Sequence, residues 1–127
     1  MAVKSPAPRQ VRSSVIPPSR VLREVLRHYS EFRELVMNGG DHIIEYSYVL
    51  EDGSKETIAF SFWDLHRGIK KLAPRKREAL YWNVIQDQKQ RDVAKRMKIT
   101  TVSVGQYVQN ACEQLLRHHF ECEVVDE

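Results

Sequence analysis

The sequence predicts a mainly α-helical protein that contains one β-hairpin. Apolar residues recur at intervals of three and four over residues 19–37 and over most of residues 62–118, which is the helical period. Between these stretches, residues 42–61 alternate apolar and polar side chains around a Glu-Asp-Gly sequence, as two strands joined by a turn do. A chain of 127 residues has room for one compact domain with tails.

The first 18 residues contain four of the five prolines, together with scattered serine and arginine residues. Such a composition buries too little apolar surface to fold, so we expect a disordered basic arm over residues 1–18. Its cations Lys4, Arg9 and Arg12, with Arg20 just beyond it, could follow a nucleic-acid backbone. A flexible terminus without a binding role explains the same pattern equally well.

Residues 19–61 are expected to form a helix followed by a hairpin. Ser19 is a favoured N-cap, and the sequence Asn38-Gly39-Gly40 is a typical stop signal. The apolar spacing between them predicts one amphipathic helix of about five turns over residues 19–37.

The faces of the two strands decide the length of the hairpin turn. A two-residue Asp-Gly turn would split the apolar side chains across both faces. A three-residue loop with Gly53 in the left-handed conformation pairs Tyr46 with Ile58, and we prefer it. One face then holds Ile44, Tyr46, Ile58 and Phe60. Because a lone hairpin is unstable in water, this face must pack on the preceding helix, on the following helices or on a partner.

Several helices should follow the hairpin. Ser61 with Asp64 predicts a helix start, and Pro74 fits the first turn of the next helix. We expect Trp63 and Trp82 to belong to the core rather than to stack on nucleobases.

Residues 89–118 have the pattern of a helix-turn-helix. Ala94 supplies the small residue needed where the two helices cross, Ile99 fills the turn and Thr100 is the natural N-cap of the second helix. Apolar residues at helical spacing would lock the crossing, namely Val93, Met97, Val104, Tyr107, Val108 and Ala111. The second helix can run to about residue 118.

Residues 72–80 read Leu-Ala-Pro-Arg-Lys-Arg-Glu-Ala-Leu, which resembles the Leu-Pro-x-Arg-x-Arg-Glu-x-Leu signature of the fourth region of bacterial sigma factors, especially the extracytoplasmic-function type. Ala94 follows Leu80 by 14 residues, as in that family. The resemblance covers residues 62–116 and implies a sigma-region-four-like helix-turn-helix bundle, which we place at residues 62–120, followed by an acidic tail over residues 121–127. Nothing resembles the second sigma region, so the chain is similar to a small sigma-like regulator of the kind that bacteriophages and their hosts encode, rather than to a complete sigma factor.

In the sigma family the second helix of this motif enters the major groove near the minus-35 element. The resemblance therefore implies a set of outward base-reading residues: Thr101, Val102, Ser103, Gly105, Gln106 and Gln109. Gln106 could bond adenine in a bidentate manner, Thr101 could bond either base type, and Val102 could touch a thymine methyl group. None of these side chains is charged.

Contacts to phosphate must then come from elsewhere, and the charge distribution indicates where. Residues 24–63 carry a net charge of −5, whereas residues 64–98 carry +7. A basic cluster of this kind is typical of a phosphate-facing surface, although a solvated helix face would look the same. The candidates are Arg75, Lys76, Arg77, Lys89, Arg91, Lys95 and Lys98. Lys89 stands where the family has a hydroxyl cap, and Lys98 where it has a glycine.

Other classes of protein are poorly supported. No stretch has the apolar length of a membrane span or a secretory leader, so we expect a cytoplasmic protein of a bacterial cell. The two cysteines, Cys112 and Cys122, form no disulfide framework. Together with His118 and His119 they have the ligand types for zinc but no standard spacing, so we expect no metal. No nucleophile motif or phosphate-binding glycine loop is present, and we expect neither enzymatic activity nor a cofactor.

Three functions remain open. The protein could be a DNA-binding transcription regulator that acts at promoters with RNA polymerase. It could instead be an adaptor that binds RNA polymerase, through its β-flap, or a sigma factor without reading DNA. The third possibility is a module for viral DNA packaging or recombination. The partners expected are double-stranded DNA and RNA polymerase or a sigma factor, and no membrane.

Overall fold

The structure is a computed structural model that describes residues 17–120 of the chain. Its elements, in chain order, are α1 Ser19–Arg27, α2 Tyr29–Met37, β1 Ile43–Val49, β2 Lys55–Ser61, α3 Phe62–Lys71, α4 Pro74–Leu80, a π-helical turn Tyr81–Ile85, α5 Gln90–Met97 and α6 Thr101–Phe120. This is the mainly α fold with one hairpin that the sequence predicts. Most of the expected basic arm and the whole acidic tail lie outside the described residues.

The expectation of one helix over residues 19–37 is wrong, because the helix breaks at His28. The backbone of His28 has φ −103° and ψ 19°, outside the helical range. Pro18, rather than Ser19, occupies the N-cap position of α1. The break lets the two halves face different neighbours: α1 buries four apolar side chains, whereas α2 buries Phe32, whose ring meets the Phe62 ring edge-on at 5.4 Å.

The Asn38-Gly39-Gly40 stop signal is confirmed. Gly39 has φ +91°, and the Gly40 amide donates to the Leu35 carbonyl over 2.8 Å. A left-handed residue followed by this bond is the Schellman ending of a helix, which glycine adopts without steric cost.

The three-residue hairpin loop is also confirmed. Tyr46 pairs with Ile58 and Ile44 with Phe60, and Gly53 has φ +91°. This register places one set of apolar side chains together on one face of the hairpin. Three of them are buried, those of Tyr48, Ile58 and Phe60. Of the packing alternatives left open for this face, the structure places it on the helices of the same chain: the Phe60 ring meets Phe120 of α6 at 5.7 Å.

The buried apolar residues form one continuous cluster that runs from α1 through the hairpin to α6. Leu22 and Leu26 of α1 are fully buried in it, as are Phe60 and Leu115. Packing therefore gives no sign of a boundary between residues 61 and 62, where the sequence suggested one. Residues 19–61 contribute to the same core as the helices that follow.

The two tryptophans occupy different environments. Trp63 is 38% exposed, with edge contacts to Phe62 and His66, so its assignment to the core is wrong. Trp82 is half-buried and packs against the core, as expected, beneath the Arg96 guanidinium, which lies 3.8 Å from the ring centre. No helix within residues 17–120 is both long and apolar enough to cross a membrane.

Candidate nucleic-acid interface

The helices that carry the candidate interface begin as the sequence predicts. The Ser61 hydroxyl accepts from the Asp64 amide at the start of α3, and Pro74 opens α4, where its missing amide hydrogen costs nothing. After α4, the Gln86 amide donates to the Tyr81 carbonyl over 2.8 Å, which closes a π-helical turn. Turns of this kind are rare and occur frequently at functional sites.

The helix-turn-helix consists of α5, a short turn and α6. Lys98 has φ 61° and ψ 46°, a left-handed conformation, and so occupies the glycine position of the turn. The Ile99 amide then donates back to the Ala94 carbonyl, and the Thr100 hydroxyl accepts from the Ser103 amide over 3.0 Å. This bond confirms Thr100 as the N-cap of α6.

The predicted crossing of the two helices is also confirmed. Ala94 is buried in α5, as the small residue at the crossing should be. The residues that lock it are buried as well, except for a partly buried Tyr107: Val93, Met97, Val104, Val108 and Ala111. The helix extends two residues beyond the predicted end, to Phe120.

Three of the six base-reading candidates point to solvent at the start of α6. Thr101, Val102 and Gln106 are exposed, and Val102 is the most exposed of the large apolar residues described, at 69%. Val102 and Gln106 are four residues apart and therefore share a helix face. This face therefore presents both an apolar group and a hydrogen-bonding amide to solvent, the two kinds of group that can contact base edges.

The other three candidates lie differently. The Ser103 hydroxyl accepts from Thr100 over 2.9 Å, and Gly105 lies beside the Gln90 side chain of α5. The Gln109 amide oxygen accepts from Arg23 of α1 over 2.8 Å, while its nitrogen donates to Glu113 over 2.9 Å. Gln109 is thus engaged by the protein itself, and its amide is not directed at an open surface.

Four of the seven phosphate candidates surround the start of the motif as exposed side chains. These are Lys89, Arg91, Lys95 and Lys98, and within residues 17–120 none of them forms an ion pair. Lys89 also occupies the N-cap position of α5 without a side-chain capping bond, so its ammonium group is available. Lys76 is half-buried on α4.

The two remaining candidates, Arg75 and Arg77, bind backbone carbonyls. Arg75 donates to the Met97 carbonyl over 3.0 Å and lies 3.6 Å from the Glu78 carboxylate. Arg77 donates to the Lys70 carbonyl over 3.0 Å. Because Met97 and Lys70 belong to the last turns of α5 and α3, the two arginines cap helix ends, a structural role that accounts for their position without DNA.

The histidine and cysteine residues at the end of the chain have individual structural roles. Burial raises the pKa of the Cys112 thiol, which keeps it protonated in the core. The His119 ring accepts a hydrogen bond from the Ser61 amide over 3.1 Å. Within residues 17–120 no group of three metal-ligating side chains is brought together; Cys122 lies outside the described residues.

A helix-turn-helix preceded by two short helices, with exposed uncharged side chains at the start of α6 and cations on α5, has the arrangement of helix-turn-helix DNA-binding domains. Comparison with protein families agrees: residues 62–115 match the family described as sigma-70, region 4. This part of the chain is therefore a sigma region 4-like domain. No curated protein and no solved structure matches the chain significantly.

Proposed function

We propose that the protein is a DNA-binding transcription regulator that acts at promoters together with RNA polymerase and has no catalytic activity. The observation that carries this proposal is the start of α6, where Thr101, Val102 and Gln106 are exposed, and which follows exposed cations of α5 and the turn that form no ion pair within residues 17–120. A sigma region 4-like fold that presents such a surface is suited to the major groove of DNA.

Base recognition would fall to the exposed side chains of α6. The Gln106 amide can pair with the N6 and N7 edge of adenine, and the Val102 methyl groups can pack on the methyl group of thymine. The Thr101 hydroxyl can bond either base type. Because all three are uncharged, they would supply sequence preference and little of the sequence-independent affinity.

Affinity would come from the cations around α5. If Lys89, Arg91, Lys95 and Lys98 each contact one phosphate, counterion release gives a slope of about −3.6 for log K against log salt concentration. The N-terminal half would contribute repulsion instead, since residues 24–63 carry −5. This asymmetry would orient the protein on the duplex with α5 and α6 towards it.

Sigma region 4 domains generally bind both DNA and RNA polymerase, and one observation favours an adaptor that contacts the polymerase alone. Residues 101–110, the first ten residues of α6, include no charged side chain. A helix whose exposed start lacks cations has a weaker grip on phosphate than one that carries them. An adaptor of this type would bind polymerase in the absence of DNA.

Selection from a random DNA library, followed by titration of the enriched sequence at two salt concentrations, tests the proposal. A regulator should show an enriched sequence and a steep salt dependence, and a lysate pull-down should recover RNA polymerase. The variant Lys95→Gln with Lys98→Gln should lose affinity. The charge-matched variant Lys71→Gln with Arg117→Gln is the control, because Arg117 lies about 24 Å along α6 from Thr101. Polymerase recovery that survives nuclease treatment, without any enriched sequence, would establish the adaptor instead.

A further inference from the structure

A cavity lies on the side of the molecule where α2, α3, α4 and the π-helical turn meet. Its volume is about 520 Å³, within the range of small-molecule sites in proteins. The walls are mainly apolar and include Ile69, Leu80 and Ile85, together with the aromatic residues Tyr29 and Tyr81. None of the base-reading candidates lines it, and the one phosphate candidate in its wall, Arg77, is bonded to the Lys70 carbonyl, so we treat the cavity as separate from the proposed DNA contact.

One wall of the cavity is built from aromatic rings held in fixed positions. The Tyr29 hydroxyl and His66 Nδ1 are hydrogen-bonded over 3.0 Å. Both rings also stack on the buried Phe62 ring, with centroid distances of 5.3 Å for Tyr29 and 5.7 Å for His66. Rings fixed in this way lose little conformational entropy when a flat ligand packs against them.

The charged groups of the cavity are mainly cationic. Arg33 comes from α2, Lys70 from α3 and Arg77 from α4, so three elements converge with positive charge. Glu78 is the single carboxylate among the lining residues, and it already lies 3.6 Å from Arg75. Within residues 17–120, Arg33 and Lys70 form no ion pair. The cavity therefore combines apolar walls with uncompensated positive charge.

We propose that this cavity binds a small aromatic anion, meaning a flat ring system that carries a carboxylate, sulfonate or phosphate group. The ring would replace water on the apolar walls, and the anion would bind the Arg33 and Lys70 side chains, with Arg77 fixed beside them by its bond to the Lys70 carbonyl. A cationic ligand would be repelled, and an apolar one would leave the cations unused. The π-helical turn in the cavity wall fits this assignment, since such turns occur at functional sites.

Titration with anilinonaphthalene sulfonate, a fluorescent aromatic anion, tests the proposal on the full chain. We expect saturable binding at one site. The variant Arg33→Gln with Lys70→Gln should weaken it by tenfold or more. The control pair Lys71→Gln with Arg117→Gln removes the same charge from exposed positions outside the cavity and should not. Equal affinity for both pairs, or no saturable binding by the unmodified chain, would overturn the proposal.

A second variant blocks the space inside the cavity without changing the charge of its lining residues. Ser30→Trp, at an exposed lining position, should fill the cavity and abolish binding while the melting temperature stays unchanged; retained binding would contradict the assignment. Displacement of the probe by adenosine monophosphate alone would identify a nucleoside phosphate as the ligand class. Displacement by salicylate alone would identify an aryl carboxylate, and displacement by neither at millimolar concentration would overturn the proposal.

Discussion

The region before residue 62 and the sigma region 4-like domain after it share one core but present opposite surfaces. Residues 24–63 carry a net charge of −5 and residues 64–98 carry +7, yet Phe60 and Leu65 are both buried in the same cluster. The family match begins at residue 62, where β2 passes directly into α3. The family match therefore begins inside a continuous apolar core rather than at its edge.

Side chains of helix α1 contact α6 and the turn that precedes α5. Arg23 donates to Gln109 in the middle of α6, and Arg27 lies 3.7 Å from Asp87 in the turn before α5. Asp87 itself has a left-handed backbone, with φ 56°. These contacts to α6 and to the turn before α5 restrain the position of α6. The region before residue 62 thus supports the sigma region 4-like domain although the two regions differ in charge.

The largest expected effect follows from the shared core. Deletion of residues 1–61 should leave a fragment that does not fold cooperatively, because it loses the apolar layer of α1 and the hairpin together. Far-ultraviolet circular dichroism and a thermal melt of residues 62–127 would check this. A fragment with a sharp transition and native helicity would instead restore the boundary that the sequence suggested.

A single substitution tests the shared core without removing a whole segment. Phe60→Ala should destabilise the full chain by about 3–5 kcal/mol, since it removes a fully buried aromatic ring packed on Phe120. Thr57→Ala is the matched control on the opposite, exposed face of β2, where the hydroxyl bonds that of Ser47, and should cost well under 1 kcal/mol. Urea denaturation would measure both.

Local signals made much of the fold predictable. The hairpin register followed from the period of two and from Gly53, and the turn of the motif from Ala94, Ile99 and Thr100. The break at His28 was not predictable, because the residues around it keep helical spacing. It arises from tertiary packing, since α1 faces α6 while Phe32 reaches Phe62. The sharing of one apolar core by the two regions was likewise not predictable, because composition does not reveal which faces of the helices and the hairpin meet.

The next expected effect distinguishes exposed lysines from helix-capping arginines within residues 64–98, the positively charged stretch. Lys95→Gln with Lys98→Gln should reduce the salt slope of DNA binding by roughly two units, as expected for two lost phosphate contacts, without changing stability. Arg75→Gln with Arg77→Gln should leave the slope unchanged and lower stability by about 1 kcal/mol per arginine, because both cap helix ends. Equal slopes for the two variants would show that the structural assignment of the arginines is incomplete.

Two glutamines on α6 provide a comparison in which effects of similar size are expected. Gln106→Ala should cost about 1–3 kcal/mol in binding to the preferred site and almost nothing in non-specific binding. Gln109→Ala should instead lower stability by about 1 kcal/mol, since it removes the acceptor of the Arg23 bond, and leave sequence preference intact. Parallel DNA titrations and melts would distinguish them, and equal losses for Gln106→Ala on all sequences would exclude a base-reading role.

The family pattern predicted where α6 begins. It did not predict which of its side chains are exposed and which are bonded to other parts of the protein. Gln106 and Gln109 are indistinguishable by type, and only the packing of α1 on α6 engages one of them. Arg75 and Arg77 likewise match a motif, while the carbonyls they bind belong to other helices. The cation-π contact of Arg96 with Trp82 left no signal, because the two residues are 14 positions apart on different elements.

The smallest expected effect concerns pH and two histidines, His66 at the junction between the two regions and His118 within the second region. Burial, with a smaller effect of neighbouring cations, lowers the pKa of His66 on α3, which bonds Tyr29 of α2. Burial likewise lowers the pKa of His118 on α6, whose ring lies close to Gly68 of α3.

A base whose pKa is lower in the folded state stabilises the fold above its unfolded pKa of about 6.5, and this contribution is lost as the pH falls. Melts at about pH 7.5 and 5.5 should therefore show lower stability at the acidic value, and His66→Gln or His118→Gln should flatten the difference. His42→Gln, at an exposed position before β1, is the control and should not. If all three variants keep the same pH dependence, the loss comes from groups other than His66 and His118.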